Sequence, residues 1–394
     1  MEEKLKIKGD PILWTVVLLL FIVSLLTVYS ATGSLAWKMG KEPGYYLVKQ
    51  IVNLVVGLGM IYAVHRMNYT YFAKISSILI IISIPLLIYT LFFGTTLNEG
   101  SRWLRIPGVG FTIQTSDLAK LALFTYLAKT LSIRQKEIKS LSKGFRPLLF
   151  PVALTCILIA PANLSTAMVL GLTSCIIFYL GRVRVKHIIG LMIIIVSLLV
   201  VVFLASKATG WGRADTWESR IVNYTSNDED KYANEKNYQV TQAAIAIAGG
   251  GTFGRGPGNS WARDYLPHPY SDFIFAIIIE EYGIIGGLFT VSCYLVFLWR
   301  SILIFRKTPY AFGGFLALAL SFTLVFQAFI NMAVTVQLFP VTGLTLPLVS
   351  MGGSSILFTS ISVGIILSVS RHADALEIKM AEMKKQKTEP LQVA

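Results

Sequence analysis

Apolar residues in this chain come in long runs, and the polar residues gather in the short stretches between them. A run of roughly 17 to 25 apolar residues is long enough for a helix to cross the hydrocarbon of a bilayer. The pattern predicts about ten such helices, over 12–31, 45–64, 75–93, 117–131, 147–162, 165–181, 187–205, 271–298, 311–335 and 355–370. The expected fold class is therefore an all-α polytopic membrane protein. A mean hydropathy of +0.65, with 54% apolar and 14% charged residues, excludes an ordinary soluble domain, whose charged fraction is about 25%. The first run is too long for a cleavable signal and no small-residue cleavage site follows it, so it reads as an anchor.

Charge then orients the spans. With the N-terminus inside, the segments 1–11, 65–74, 132–146, 182–186, 299–310 and 371–394 hold 21 of the 35 Lys and Arg residues. The short segments on the other side, 32–44, 94–116 and 336–354, hold four. This bias predicts cytoplasmic N and C termini, a membrane domain over 12–370 and a solvated tail over 371–394. The net charge of +14 is thus accounted for by topology, and no nucleic-acid partner is expected. Cys156, Cys175 and Cys293 fall inside apolar runs and read as small hydrophobic residues. On the outer side, 206–271 forms a large extracytoplasmic loop between spans 7 and 8, polar and with little obvious structure; loops of that length are usually functional or disordered.

Three carboxylates open the eighth span: Asp272, Glu280 and Glu281. A carboxylate at the centre of a bilayer costs about 2.5 to 3.5 kcal/mol, so these mark a site. Ser271 is expected to cap the helix with Asp272 in its first turn, where the helix dipole favours an ionised acid. Glu280 lies about 80° around the helix from Asp272, which makes it the expected partner in the same cavity, while Glu281 points away toward a neighbouring span. A second cluster contains Arg102 and Arg105, then Gln114, Asp117 and Lys120. Asp117 and Lys120 share a helix face; they read either as a snorkelling ion pair or as part of a basic site for a lipid phosphate. Gly249 to Ser260, with Arg255 within it, reads as a flexible lid or a binding loop and is no Walker or Rossmann fingerprint. Pro340 to Ser355 places broken backbone at membrane depth, where it must line a cavity or be buried.

Together these motifs resemble the shape, elongation, division and sporulation (SEDS) family, which includes FtsW and RodA. The resemblance rests on Thr345 to Ser355, with Asn331 before it and Gly364 to Arg371 after it. Arg102-Trp103, Gln114 with Asp117 and Lys120, Tyr238-Gln239 with Gln242, Gly254 to Ser260, and Leu266 to Ala276 with Glu280 to Gly283 agree with it. Thr342 to Pro347 is closer to the FtsW branch than to the RodA branch.

The resemblance implies a peptidoglycan glycosyltransferase that polymerises lipid II at the outer face of the bacterial cytoplasmic membrane, at the division septum for an FtsW-like member. It implies Asp272 as the essential acid, acting as general base, and a divalent cation, Mg²⁺ or Mn²⁺, for which Asp272 is a possible ligand. Arg102, Lys120, Arg255, Gln114, Ser350 and Ser354 would meet substrate or pyrophosphate, with Asp117, Gln239, Gln242, Glu280, Glu281 and Asn331 supporting the cavity. The implied partners are lipid II, membrane lipid, a class B penicillin-binding transpeptidase and divisome activator proteins. One departure stands out: Asn163 occupies a position where many relatives carry an aspartate, so any role of that acid in metal or proton handling is in doubt. Two other functions compete, a lipid II flippase or transporter and a non-catalytic scaffold for division proteins.

Overall fold

The computed structural model describes residues 8–42, 44–97, 100–105, 112–209, 214–225 and 238–388. Its helices are α1 (Pro11–Ala31), α2 (Gly33–Lys38), α3 (Gly44–Arg66), α4 (Thr70–Phe93), α5 (Thr115–Ile133), α6 (Arg146–Ile159), α7 (Leu164–Leu180), α8 (Val185–Thr209), α9 (Ala214–Thr225), α10 (Tyr238–Gly250), α11 (Ala262–Tyr265), α12 (Ile274–Lys307), α13 (Ala311–Thr335) and α14 (Gly353–Thr388). Among the described residues, eight helices are long and apolar enough to cross a membrane, α6 counting together with the π-helical turn Leu141–Phe145 that runs into it, and α5 and α7 coincide with the other two expected spans. The protein is an all-α, multi-pass membrane protein, with one small departure. The segment before α5 folds into a three-stranded antiparallel sheet, β1 (Thr95–Leu97), β2 (Gly100–Arg105) and β3 (Thr112–Gln114), that pairs Trp103 with Gln114.

Helices α13 and α14 form the centre, and α8 lies at the periphery with most of its surface exposed. Helix α14 packs along α3. Close approach there depends on small residues, as expected where apolar lipid removes the usual driving force. A Cβ on Gly57 would sit 2.8 Å from the Ser360 hydroxyl, and one on Gly364 would sit 2.9 Å from the Ile61 carbonyl. At the N-terminal end of the bundle, Asp10 caps α1 by accepting from the amides of Ile12 and Leu13, and Arg300 of α12 donates to the same carboxylate at 2.8 Å. That ion pair fixes the start of α1 beside the far end of α12, so the two helices run antiparallel.

The segment between α8 and α12 is more ordered than its composition suggested, since α9, α10 and α11 lie within it. Helix α12 is also longer than the expected span, continuing to Lys307, and it contains a break at Gly283 (φ 70°, ψ −173°). Glu281 is about 40 Å along the helix from Lys307, more than the ~30 Å hydrocarbon thickness. The acids therefore sit at the end of the bundle inside protein, with Glu280 and Glu281 each 1% exposed, and not in lipid at the mid-plane.

Candidate active site

The break at Gly283 explains the glycine-rich segment. In an unbroken helix the amides of residues 284 and 285 would bond the carbonyls of Glu280 and Glu281. Here those carbonyls accept instead from the amides of Arg255 (2.9 Å) and Gly256 (3.0 Å), while the amides of Ile284 and Ile285 go to the carbonyls of Gly251 (3.0 Å) and Thr252 (3.4 Å). These four backbone groups are thus satisfied by the loop, as burial demands. Contact this close needs glycine on both sides. A Cβ on Gly254 (φ +82°) would lie 2.1 Å from the Glu281 carbonyl, and one on Gly283 would lie 2.1 Å from the Thr252 carbonyl. The loop is neither the flexible lid nor the open binding loop expected from its composition. The amides of Arg255 and Gly256 are committed to α12.

Glu280 completes this clamp. Its carboxylate accepts from the Ser260 hydroxyl and from the amides of Trp261 (3.0 Å) and Ala262 (3.3 Å), and Arg255 approaches it at 3.7 Å. Arg255 also donates to the Gly249 carbonyl at 3.1 Å and lies 4.4 Å over the Trp261 ring. The expectation that Glu280 partners Asp272 is therefore corrected: its oxygens are held by the start of α11 and by Arg255. Glu281 turns the other way, as its position on the helix suggested, and accepts from Ser30 of α1. Arg263 ties the same corner by donating to the Gly258 carbonyl at 2.8 Å and, at 3.5 Å, to Ser30.

Asp272 lies in different surroundings. It belongs to a turn that precedes α12, whose N-cap is Phe273 with no side-chain cap. The expected capping by Ser271 does not occur; its hydroxyl donates to the Asp272 carboxylate at 2.7 Å. Three consecutive carbonyls of the turn are pinned by other elements. Tyr270 accepts from the Met351 amide (2.9 Å), Ser271 from the Ser350 hydroxyl (2.6 Å) and Asp272 from the Asn331 amide group (2.8 Å). The turn is rigid through its backbone, which leaves the half-buried carboxylate with Ser271 as its hydrogen-bond donor among the described residues. Burial pushes the neighbouring Tyr270 phenol above its ordinary pKa, with Tyr46 and Asp272 adding to the effect.

The broken segment after α13 forms the wall facing this turn. Ser350 accepts from the Leu346 amide at 2.8 Å, Asn331 donates to the Leu344 carbonyl at 2.6 Å, and Tyr294 of α12 donates to the Pro347 carbonyl. Leu348 is held at φ +66°, a strained conformation for a branched apolar residue, by these bonds and by Ser24 of α1, which donates to the Val349 carbonyl at 2.7 Å. Ser350 is thus a clasp between two turns. Ser354 is buried, and its hydroxyl has no hydrogen-bond partner among the described residues.

One turn of α13 joins these groups to the pair on α5. Gln327 and Asn331 share a face. Gln327 accepts from Lys120 at 3.1 Å and donates to the Thr345 carbonyl at 3.0 Å. Lys120 also pairs with Asp117 at 2.7 Å, and both are largely buried against a cavity between α5, α13 and α14 that Thr323, Thr359 and Ser362 line with hydroxyls. The pair faces the protein interior and does not snorkel outward. Gln114 donates to Ser116 at 3.0 Å. Arg102 lies on β2 by its backbone, and its side chain, like that of Arg105, lies outside the described residues. Gln239 and Gln242 are half-buried on α10, which packs on α12. Asn163 caps α7, accepting from the Thr166 amide at 3.3 Å, a task a neutral side chain performs.

The structure therefore brings Asp117, Lys120, Asp272, Asn331 and Ser350 into one network and sends Arg255, Glu280 and Glu281 to another. Sequence reasoning missed Ser24, Ser30, Tyr294 and Gln327, whose hydrogen bonds hold both networks. Their only signal was a polar group inside an apolar run, which needs an internal partner. As for a divalent cation, no three His, Cys, Asp or Glu residues come together among the described residues. One carboxylate beside an anionic substrate is still a donor set that suits Mg²⁺, which keeps waters and binds through one or two carboxylates plus phosphates.

The fold and this network define a polytopic membrane protein with one rigidly mounted, accessible acid at the end of its bundle. The chain belongs to the FtsW, RodA and SpoVE family of cell cycle proteins, whose sequence profile matches residues 10–375. It is 34% identical over 373 residues to the stage V sporulation protein E of Bacillus subtilis (strain 168), covering 93% of this chain and 98% of that one. It is 30% identical to the probable peptidoglycan glycosyltransferase FtsW of Aliivibrio salmonicida (strain LFI1238), over 92% of this chain and 89% of that one. A chain of a peptidoglycan synthase complex, solved for its coordination of polymerization and crosslinking, has the same fold at a TM-score of 0.71 and 24% identity, over 93% of this chain and 98% of that one. The rod shape determining protein RodA of Thermus thermophilus aligns at a TM-score of 0.64 and 22% identity, over 93% of this chain and 97% of that one.

Proposed function

We propose that this protein is a peptidoglycan glycosyltransferase that polymerises lipid II into glycan strands at the outer face of the bacterial cytoplasmic membrane, with Asp272 as general base. The observation that carries this is the contrast among the three acids: Glu280 is held through both oxygens and Glu281 is buried against Ser30, while Asp272 is only half-buried on a turn mounted through its backbone. Its carboxylate takes the proton from the 4-hydroxyl of an acceptor GlcNAc as that oxygen attacks the anomeric carbon of a donor MurNAc. The new C–O bond forms with inversion as the bond to undecaprenyl pyrophosphate breaks. Lys120 and Arg102 are proposed to attract the departing pyrophosphate, with Gln114 and Ser354 as further polar contacts. A bound Mg²⁺ or Mn²⁺ would neutralise charge on that pyrophosphate, and Asp272 is the residue placed to share it.

The same reading sets ten spans with both termini in the cytoplasm, the 206–271 loop outside, and the protein at the division septum. A class B penicillin-binding transpeptidase and divisome activators are its proposed partners, in keeping with the synthase complex whose fold it shares. The test is polymerisation of lipid II by the purified protein with its transpeptidase, in Mn²⁺ or Mg²⁺ and in chelator, for wild type and Asp272→Ala. Strands from wild type alone, lost in chelator, support the transferase. Strands from both proteins remove Asp272 as base, and strands from neither return a lipid II flippase or a scaffold to the front.

A further inference from the structure

The opposite end of the bundle, where α1 begins, contains a cavity of about 670 Å³ that the proposed polymerisation leaves unused. It lies where the first turns of α4 and α13 meet the last turn of α5 and the extension of α14. Its walls are mostly apolar, with Ile133, Phe312 and Leu376 among them, and Tyr69 and Tyr310 stand where aromatic residues belong at a membrane boundary. Volumes of this size accommodate an organic ligand.

The charged groups on this cavity are the ammoniums of Lys129 and Lys379, beside neutral Asn68, Thr70 and Ser132. Lys129 lies about one turn inside the end of α5, and its ammonium donates to the neutral hydroxyl of Ser77 at 3.1 Å. Lys379 and His372 project from α14. Among the described residues, the ion pairs include neither Lys129 nor Lys379. Of the acids on α14, Asp374 and Glu377 are on its other side, while Glu382 follows Lys379 by three residues and its side chain lies outside the described residues. His372, Ala375, Leu376 and Lys379 form one stripe at helical spacing, whereas Asp374 and Glu377 lie roughly 150° away, and Glu377 pairs with Lys307 at 3.4 Å. Over residues 372–379 the helix thus presents its basic, apolar stripe to the cavity and turns Asp374 and Glu377 away. A half-buried ammonium whose hydrogen bond goes to a neutral hydroxyl keeps its charge uncompensated by any ion pair among the described residues, and an anion in the cavity would pair with it.

We propose that this cavity binds one anionic phospholipid from the leaflet at that end of the bundle, its phosphate between Lys129 and Lys379 and an acyl chain against Phe312 and Leu376. A soluble phosphate ester matches the lysines but not the apolar walls, and an acidic protein segment would require a polar groove.

The experiment uses the full-length protein, purified and exposed to equal amounts of phosphatidylglycerol and phosphatidylcholine with identical chains, with retained lipid counted by native mass spectrometry. Wild type is expected to keep one phosphatidylglycerol with about tenfold preference, and the Lys129→Gln, Lys379→Gln double variant to show none, with its melting temperature unchanged in phosphatidylcholine alone. Parity in wild type, or a preference that survives the double variant, overturns the proposal. Displacement of the lipid by millimolar glycerol phosphate assigns the site to a soluble ester and also overturns it. A benzophenone amino acid placed at Leu376 is expected to label lipid in cells; labelling a protein there in place of lipid overturns it too.

Discussion

Two polar regions meet at the Asp272 end of this bundle and use the same kind of residue to opposite ends. In the clamp of residues 249–285, the Glu280 carboxylate is held through both oxygens by a hydroxyl, amides and a guanidinium, Glu281 is buried with one oxygen bonded to Ser30, and the glycine backbone completes a broken helix. In the turn of residues 270–273, three consecutive carbonyls are pinned by other elements and the Asp272 carboxylate keeps only its neighbour Ser271 as donor among the described residues. A buried charge whose partners are all supplied by the fold is structural, because its removal strands those partners. A charge whose mounting is secured through its backbone can change its protonation without disturbing the structure, which is what a base must do.

Substitutions can break this division in order of expected size. Asp272→Asn keeps the shape of the turn and is expected to lower polymerisation by about 10²- to 10⁴-fold while leaving the melting temperature unchanged. An activity above a tenth of wild type in a lipid II assay would erase the contrast. Glu280→Ala is expected to do the reverse, destabilising the protein by about 3 to 5 kcal/mol, since Arg255 and the first amides of α11 lose their acceptor. Thermal unfolding in detergent measures it, and an unshifted transition with lost activity would move Glu280 into the chemistry. Gly254→Ala adds strain of about 1 to 3 kcal/mol from its positive φ alone, before the clash with the Glu281 carbonyl. It is expected to loosen the loop, read out as faster proteolysis between α10 and α11. Ser350→Ala removes one of three bonds holding the Asp272 turn and is expected to lower stability by about 1 to 2 kcal/mol. Its activity should fall less than that of Asp272→Asn, because the bonds from Asn331 and Met351 remain.

The spans were legible in the sequence because hydropathy accumulates along consecutive residues. The expected run over 311–335 coincides with α13, and 12–31 with α1, to within a residue. The start of α12 was less legible. Ser271 looks like a cap, but bonds from Ser350 and Asn331 hold the turn out of the helix until Ile274. The glycine loop was visible as a loop and its role was hidden, since its partners are carbonyls of a helix some thirty residues on, and a carbonyl has no residue signature. The residues alone set Asp272 in the field of the helix dipole with Glu280 and Glu281 as partners, and the resemblance to a family singled it out as the essential acid.

The sequence by itself determined a multi-pass helical protein, its basic and acidic ends, and the set of polar side chains that had to find partners inside it. Tertiary structure decided which of them did. Burial and span are properties of a segment and can be summed from its residues, but satisfying a buried donor or acceptor requires groups from distant segments to coincide within about 3 Å. That coincidence exists only once α1, α12, α13 and the broken segment before α14 have packed, and it leaves the half-buried Asp272 carboxylate with Ser271 as its hydrogen-bond donor among the described residues.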